Sequence, residues 1–313
     1  QPPSTMPLHA MPRPQRLRAL PWRHLLVALS LGAALLPARA DAAAAPTGPV
    51  QVLRVQNGLV QENEVALANG AQALADVISR ASGRRTLWMA HDALGPAVVQ
   101  QQADYSFVKP PSASAKMLAK GWQLVAVALA PQGFGVDFIA QPCPGHPGSV
   151  LLGGPTLTTL GVSTSAPATC VPVSQVWTSP AAVLLAPAKG SLVDKVAGKL
   201  WRMHASRLPP TVHVQYQNAV TDFMQLTHAA VVGVVTPLVS AQWRAHGGVV
   251  LAHQEMPFWT VLAAPGVPPE QVAKVRAALL SPDAAAMNRA LHVAGWKAGD
   301  PQVYADFLHW LAH

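Results

Sequence analysis

The sequence predicts an α/β protein of two lobes. From residue 50 onward, short apolar runs alternate with amphipathic stretches. That alternation is the pattern of strands layered between helices. Charged residues are only 12% of the chain and apolar ones 50%, so a large core can form. The region holds no internal repeat and no long linker.

The elements follow in order. Val52 to Val60 reads as a first strand. Leu67, Ala71, Leu74 and Ile78 recur at helical spacing, and Gly83 stands just past the end of that helix. Thr86 to Met89 reads as a second strand. Ser112 to Lys120 reads as a short helix, capped by Ser112 and ended by Gly121. Gln123 to Leu129 is a buried strand, and Val136 to Ala140 another. Residues 141 to 190 are rich in Pro, Gly, Ser and Thr; they predict loops and short strands, including Ala182 to Leu185.

Beyond them, Lys199 to Met203 and Val212 to Tyr216 read as strands, Gln217 to Leu226 as a helix and Ala230 to Val235 as a strand. Thr236-Pro237 opens a helix with a hydroxyl at the cap and proline at the first helical position, and Gly247-Gly248 closes it. Val249 to Ala252 and Trp259 to Ala263 are strands. Pro269 to Leu280 is a helix with Val272, Val275 and Leu279 on one face, and Asp300-Pro301 starts the last helix.

The N-terminal 40 residues have a different character. Arg13, Arg16, Arg18 and Arg23 precede an uncharged, mostly apolar run from Leu25 to Leu36, and Ala38-Arg39-Ala40 follows. This is the three-part pattern of a secretory signal. The run is shorter than the roughly 20 residues a membrane span needs. Residues 1–40 are therefore expected to be a signal peptide with an upstream extension. Met11 would be its start, cleavage would fall near Ala40, and the mature protein would reside in the periplasm.

Five of the 22 Lys and Arg and none of the 14 Asp and Glu lie in that segment. The mature chain then carries 17 basic and 14 acidic residues, a net +3. With no dense basic patch, a nucleic-acid partner is not expected. Two cysteines, Cys143 and Cys170, would be exported together. Such a pair is either a disulfide or two buried thiols. No CxxC or adjacent His pair points to a metal site. GxSxG, HExxH and Walker loops are absent, so no enzyme and no cofactor is expected.

Four stretches carry a resemblance: ADYSFVKPPSASAKMLAKGWQLVAVA (103–128), VHVQYQNAVTDFMQLTHAAVVGVVTP (212–237), GGVVLAHQEMPFWTVLAAPGVPPEQVAKVRAALL (247–280) and GWKAGDPQVYADFLHWL (295–311). In order and spacing they resemble the phosphonate-binding-like periplasmic proteins, the substrate-binding components of ABC importers. The resemblance implies the type 2 periplasmic-binding-protein fold, two α/β lobes joined by two crossover strands. Lobe one would be residues 48–135 plus 255–313, and lobe two 136–254. It also implies a monomer that hands its ligand to an ABC transporter permease. The chain departs from the family at Leu226-Thr227-His228, where a Gly is usual, and across 141–190.

In such a fold, ligands sit beyond the carboxyl ends of the strands, against helix N-termini that favour anions. Three strand-to-helix turns are candidates: Gln61-Glu62-Asn63, Lys109 to Ser114, and Thr236. Gln61 and Asn63 are polar, Lys109 is a cation, and Ser112, Ser114 and Thr236 carry hydroxyls. Gln217 could donate to a ligand oxygen, and Tyr105, Tyr216 and Trp259 could form aromatic walls. His253, beside the return crossover, is either a ligand contact or a hinge residue. The expected function is capture of a small oxyanion of phosphate, phosphonate or sulfonate type for an ABC importer. The alternatives are a ligand-sensing module for a signalling partner and a secreted hydrolase.

Overall fold

The computed structural model describes residues 49–57, 64–92, 103–153 and 167–313. The expected signal peptide and the turn at Gln61 to Asn63 lie outside the described residues. Among the described residues, no helix is long and apolar enough to cross a membrane.

Two mixed sheets organise the chain. The first contains β1 (Gln51–Asn57), β2 (Thr86–Asp92), β3 (Tyr105–Val108), β4 (Gln123–Leu129), β12 (Thr260–Ala263) and β13 (Gly295–Lys297). Its strand order is β13-β4-β12-β3-β1-β2. The second contains β5 (Gly135–Ala140), β8 (Leu184–Ala186), β9 (Thr211–His213), β10 (Val232–Val235) and β11 (Val249–Glu255), in the order β11-β5-β10-β8-β9. A separate hairpin pairs β6 (Ser149–Leu152) with β7 (Thr169–Pro172).

Helices cover both faces of each sheet, which is why the central strands are apolar throughout rather than alternating. On one face of the first sheet lie α1 (Glu64–Ser82), α6 (Pro269–Leu280) and α7 (Ala285–Ala290). Their apolar stripes meet Leu53, Val55, Phe107, Val125 and Val261 in one core. The expected α1 stripe is correct: Ala71, Leu74 and Ile78 are all buried. Each such Leu or Ile contributes about 1.5–3 kcal/mol of burial. Gly83 follows with φ +68, a conformation that L side chains rarely adopt. The other face carries α2 (Pro111–Leu118) and α8 (Pro301–Ala312).

The second sheet packs α3 (Leu192–His204) on one face, and α4 (Gln217–Thr227) and α5 (Pro237–Ala245) on the other. The chain passes from the first sheet to the second between β4 and β5, and returns between β11 and β12. β5 and β11 pair antiparallel along most of their length, Ala140 with Val249 through Gly135 with Glu255. The C-terminal helix ties the two halves together. Its Tyr304 and Leu308 pack with the first sheet's Val108 and Leu262, while Phe307, Trp310 and Leu311 join the second sheet's core. Tyr304 Oη also donates to the Phe258 carbonyl at 2.7 Å.

Two local expectations are corrected. Lys199 to Met203 is not a strand but the last part of α3. The helix starts at Ser191, whose Oγ accepts from the Asp194 N–H at 3.1 Å. Val196, Ala197, Leu200 and Trp201 then form its buried face at helical spacing. The period extends upstream of the apolar run that suggests a strand. Likewise Ser112 does not cap α2. The cap position is Pro110, with φ −72 and ψ 118 and no side-chain cap, and Ser112 lies inside the first turn. Proline at both 110 and 111 fixes the extended entry and moves the start back.

Candidate functional site

The two strongest candidate turns lie at the carboxyl ends of β3 and β10, one in each sheet. β3 ends at Val108, beside β1, and the Lys109 N–H donates to the Gln56 carbonyl at 3.2 Å. β12 enters antiparallel on the other side, with Thr260 opposite Val108. Ser114, in the first turns of α2, is buried and shares a 2.9 Å hydrogen bond between its Oγ and Thr260 Oγ1. This bond fixes the start of α2 against the sheet.

Lys109 is 3% exposed, so it is not a solvated surface charge. Its Nζ stands 4.5 Å from the Trp259 ring centroid and 6.0 Å from that of Phe107. A cation over an indole face is attracted by the ring quadrupole, by about 2 kcal/mol when desolvated. Trp259 is itself wedged edge-on against Phe107 and stacked with Phe258. The aromatic wall expected at Trp259 thus serves as packing for Lys109. The backbone of the turn offers fewer donors than a typical helix start. Pro110 and Pro111 have no N–H, and the N–H groups of Ala113 and Ser114 both donate to the Pro110 carbonyl. Among the described residues, the Ser112 N–H has no backbone acceptor.

Tyr105 lies elsewhere. It is fully buried in the core of the first sheet. Its phenol has no hydrogen-bond partner among the described residues. Burial pushes its ionisation up to about 12. Tyr105 is a packing residue rather than a wall of the cleft. Tyr216 is half-buried at the cap position of α4.

At the end of β10 a polar network forms. The Thr236 N–H donates to Gln217 Oε1 at 3.0 Å, so the starts of α4 and α5 are joined. Thr236 caps α5 by position, with Pro237 following, but its side chain makes no capping bond. Using Oε1 in this way leaves the Gln217 NH2 as its donor end. One strand over, Asp137 stands opposite Val235 and is almost fully buried. Its carboxylate accepts from Ser240 Oγ, in the first turns of α5, and lies 2.6 Å from His253 Nδ1 on β11.

The structure therefore brings Lys109, Ser112 and Ser114 together on the first sheet, and Thr236 and Gln217 together on the second. No described hydrogen bond joins one group to the other. Asp137, Ser240 and Thr260 were not anticipated. The lone carboxylate in Gly-Val-Asp-Phe-Ile-Ala was the available signal for Asp137, since a buried charge requires partners. The position of Thr260 depends on strand pairing at a separation of 146 residues from Ser114, which sequence spacing does not reveal.

Two mixed sheets, each sandwiched between helices and joined by paired crossovers with polar helix starts at the strand ends, define the fold of type 2 periplasmic binding proteins. No protein-family model matches the sequence, and no curated protein matches it. Solved structures do match. XAC2383 from Xanthomonas citri, bound to ATP, superposes with a TM-score of 0.55 at 13% identity, over 84% of this chain and 96% of that one. PhnD1 from Prochlorococcus marinus, in complex with methylphosphonate, gives 0.54 at 8% identity over 83% and 97%. A binding-protein component of an ABC phosphonate transporter from Pseudomonas aeruginosa gives 0.50 at 11% identity over 84% and 85%. At these identities the likeness establishes the fold.

Proposed function

We propose that this protein is an exported solute-binding protein that captures a small oxyanion of phosphate, phosphonate or sulfonate type for an ABC importer. The carrying observation is the pair of helix starts at the carboxyl ends of β3 and β10. One has a buried lysine at its foot, and the other is cross-linked by Gln217. Lobe one is residues 48–135 plus 255–313 and lobe two 136–254, with the ligand between them. In this reading Ser112 and the Gln217 NH2 donate to ligand oxygens. Ser114 and Thr236 hold the two helix starts in place. Lys109 supplies positive potential from beneath the turn. Gln61 and Asn63 would add a third polar turn after β1. PhnD1, of the same fold, holds methylphosphonate, which supports the anion class. Signal-peptide removal near Ala40 would deliver the chain, as a monomer, to the periplasm and its permease.

Calorimetric titration of the purified protein with phosphate, methylphosphonate, sulfate and an alkylsulfonate tests this reading. At 100 times its dissociation constant, a bound anion should add about 2.7 kcal/mol of stability. Heat-silent titrations and unshifted melting with all four would overturn it.

A further inference from the structure

A second group of ligating side chains lies on the β6–β7 hairpin and the loop that leads into it, outside the strand-end site. The loop from Cys143 to Ser149 closes on itself. The Cys143 N–H donates to the Ser149 carbonyl at 3.0 Å, and the Ser149 N–H to the His146 carbonyl at 3.1 Å. Gly145 and Gly148 take φ of +75 and +77 within it, which lets so short a loop turn back. Cys170 sits on β7 opposite Leu151. Cys143 and Cys170 form a disulfide, with Cα atoms 5.6 Å apart. A ring nitrogen of His146 and the two sulfurs all lie within 4.8 Å of one another. Cys143 is buried, whereas His146 and Cys170 are exposed.

We propose that Cys143, His146 and Cys170 form a redox-gated site for one thiophilic cation, such as Zn(II) or Cu(I). Two thiolates and an imidazole are the donors these ions select, and a fourth position remains open to water. In the disulfide form the sulfurs are bonded to each other and the site is closed. A dithiol supplies two electrons and two protons and itself closes to a disulfide, or a phosphine takes an oxygen from water, whose two protons go to the sulfurs; either way the S–S bond breaks and two thiols form. The cation, Zn(II) or Cu(I), then binds both sulfurs as thiolates and displaces their two protons. The backbone makes this feasible. The Cys143–Ser149 bond and the Leu151–Cys170 pairing hold both Cα atoms in place independently of the S–S bond. Exposure of Cys170 gives a reductant access. His146, exposed on its turn, has a ring nitrogen within 4.8 Å of both sulfurs, near enough to share one ion with them.

Co(II) is the probe for the test, because its thiolate complexes absorb strongly in the near ultraviolet. The purified protein is reduced with excess phosphine, freed of reductant without oxygen and titrated with Co(II). The circular dichroism spectrum is followed in parallel. The expected result is one Co(II) per reduced chain with thiolate charge-transfer absorption, and none per oxidised chain. His146→Ala should weaken binding by at least about tenfold, on the scale of a lost supporting contact. Equal binding by His146→Ala and wild type would overturn the proposal, as would no charge-transfer band in the reduced protein. Unfolding on reduction without bound cobalt would also overturn it, because the hairpin is required to hold the thiols together.

Discussion

His253 Nδ1 lies 2.6 Å from Asp137 Oδ1, and the two residues are direct partners across the antiparallel pair β5–β11. The contact cross-braces the two strands that connect the sheets. Asp137 also accepts from Ser240 at the start of α5, so one buried carboxylate fixes both the crossover pair and that helix. The choice left open for His253 by the sequence is resolved in part: it has a partner on the other crossover strand. Removing the carboxylate takes away two hydrogen bonds, each worth about 1.5–3 kcal/mol where a charged group takes part, although Ser240 Oγ keeps the Pro237 carbonyl at 3.2 Å and exposed His253 can turn to water. Asp137→Ala should therefore lower unfolding stability by about 2–4 kcal/mol. Ser240→Ala should cost about 1 kcal/mol, because the carboxylate keeps His253. Urea denaturation of the three proteins measures both.

Tyr105 predicts an alkaline limb to the stability curve. Its folded ionisation is raised to about 12 from 10.0. Between those values the folded state keeps a proton that the unfolded state loses, so stability falls as pH rises through that window. The contribution is fully present below pH 10. Tyr105→Phe removes the titrating group and the unpartnered hydroxyl together. It should make this limb shallower, the Tyr304 phenol, which burial also raises, still contributing, and leave neutral-pH stability unchanged or higher by up to about 1 kcal/mol. Thermal melting from pH 8 to pH 12 checks the difference between the two proteins.

His228 occupies a left-handed position at the end of α4, with φ 51 and ψ 34. A side chain there costs about 1–2 kcal/mol relative to glycine. His228 is thus held in a conformation that glycine adopts at less cost. His228→Gly should stabilise the protein by about 0.5–1 kcal/mol, read as a raised melting temperature.

Elements with strong local signals were legible in the sequence. Gln123–Leu129 and Pro269–Leu280 have the expected bounds, and Asp300 caps α8 by accepting from the Gln302 N–H at 2.8 Å. Apolar periodicity and proline placement suffice there because the information is local. α3 was missed because Lys195, Lys199 and Arg202 interleave its apolar face, so Leu200 and Trp201 look like a short strand in isolation. The site was legible only as turns. Ser114 meets Thr260, and Asp137 meets His253, across separations of 146 and 116 residues that only strand order creates. Burial of Lys109 beneath Trp259 was likewise invisible, because a lysine before two prolines reads as an exposed loop charge.

The Cys143–Cys170 bridge closes a separation of 27 positions. In the chain-entropy model such a loop contributes about 3–4 kcal/mol by constraining the unfolded chain. Cys170→Ser should lose roughly that amount while keeping its native circular dichroism spectrum, since the β6–β7 pairing persists. A loss well under 1 kcal/mol would show that the hairpin already restricts the unfolded ensemble.

The central claim is capture of an oxyanion at the starts of α2, α4 and α5. Gln217→Glu tests it most directly, because the change is nearly isosteric and the carboxylate can still accept from the Thr236 N–H. It replaces the donating NH2 with negative charge. In calorimetric titration with methylphosphonate and phosphate, the wild type should bind at least one of them saturably. Gln217→Glu, with unchanged circular dichroism, should bind at least about tenfold more weakly, since one lost charge-assisted hydrogen bond of about 1.5–3 kcal/mol corresponds to that much or more. Equal affinity in the two proteins, or no anion bound by the wild type, would contradict the account.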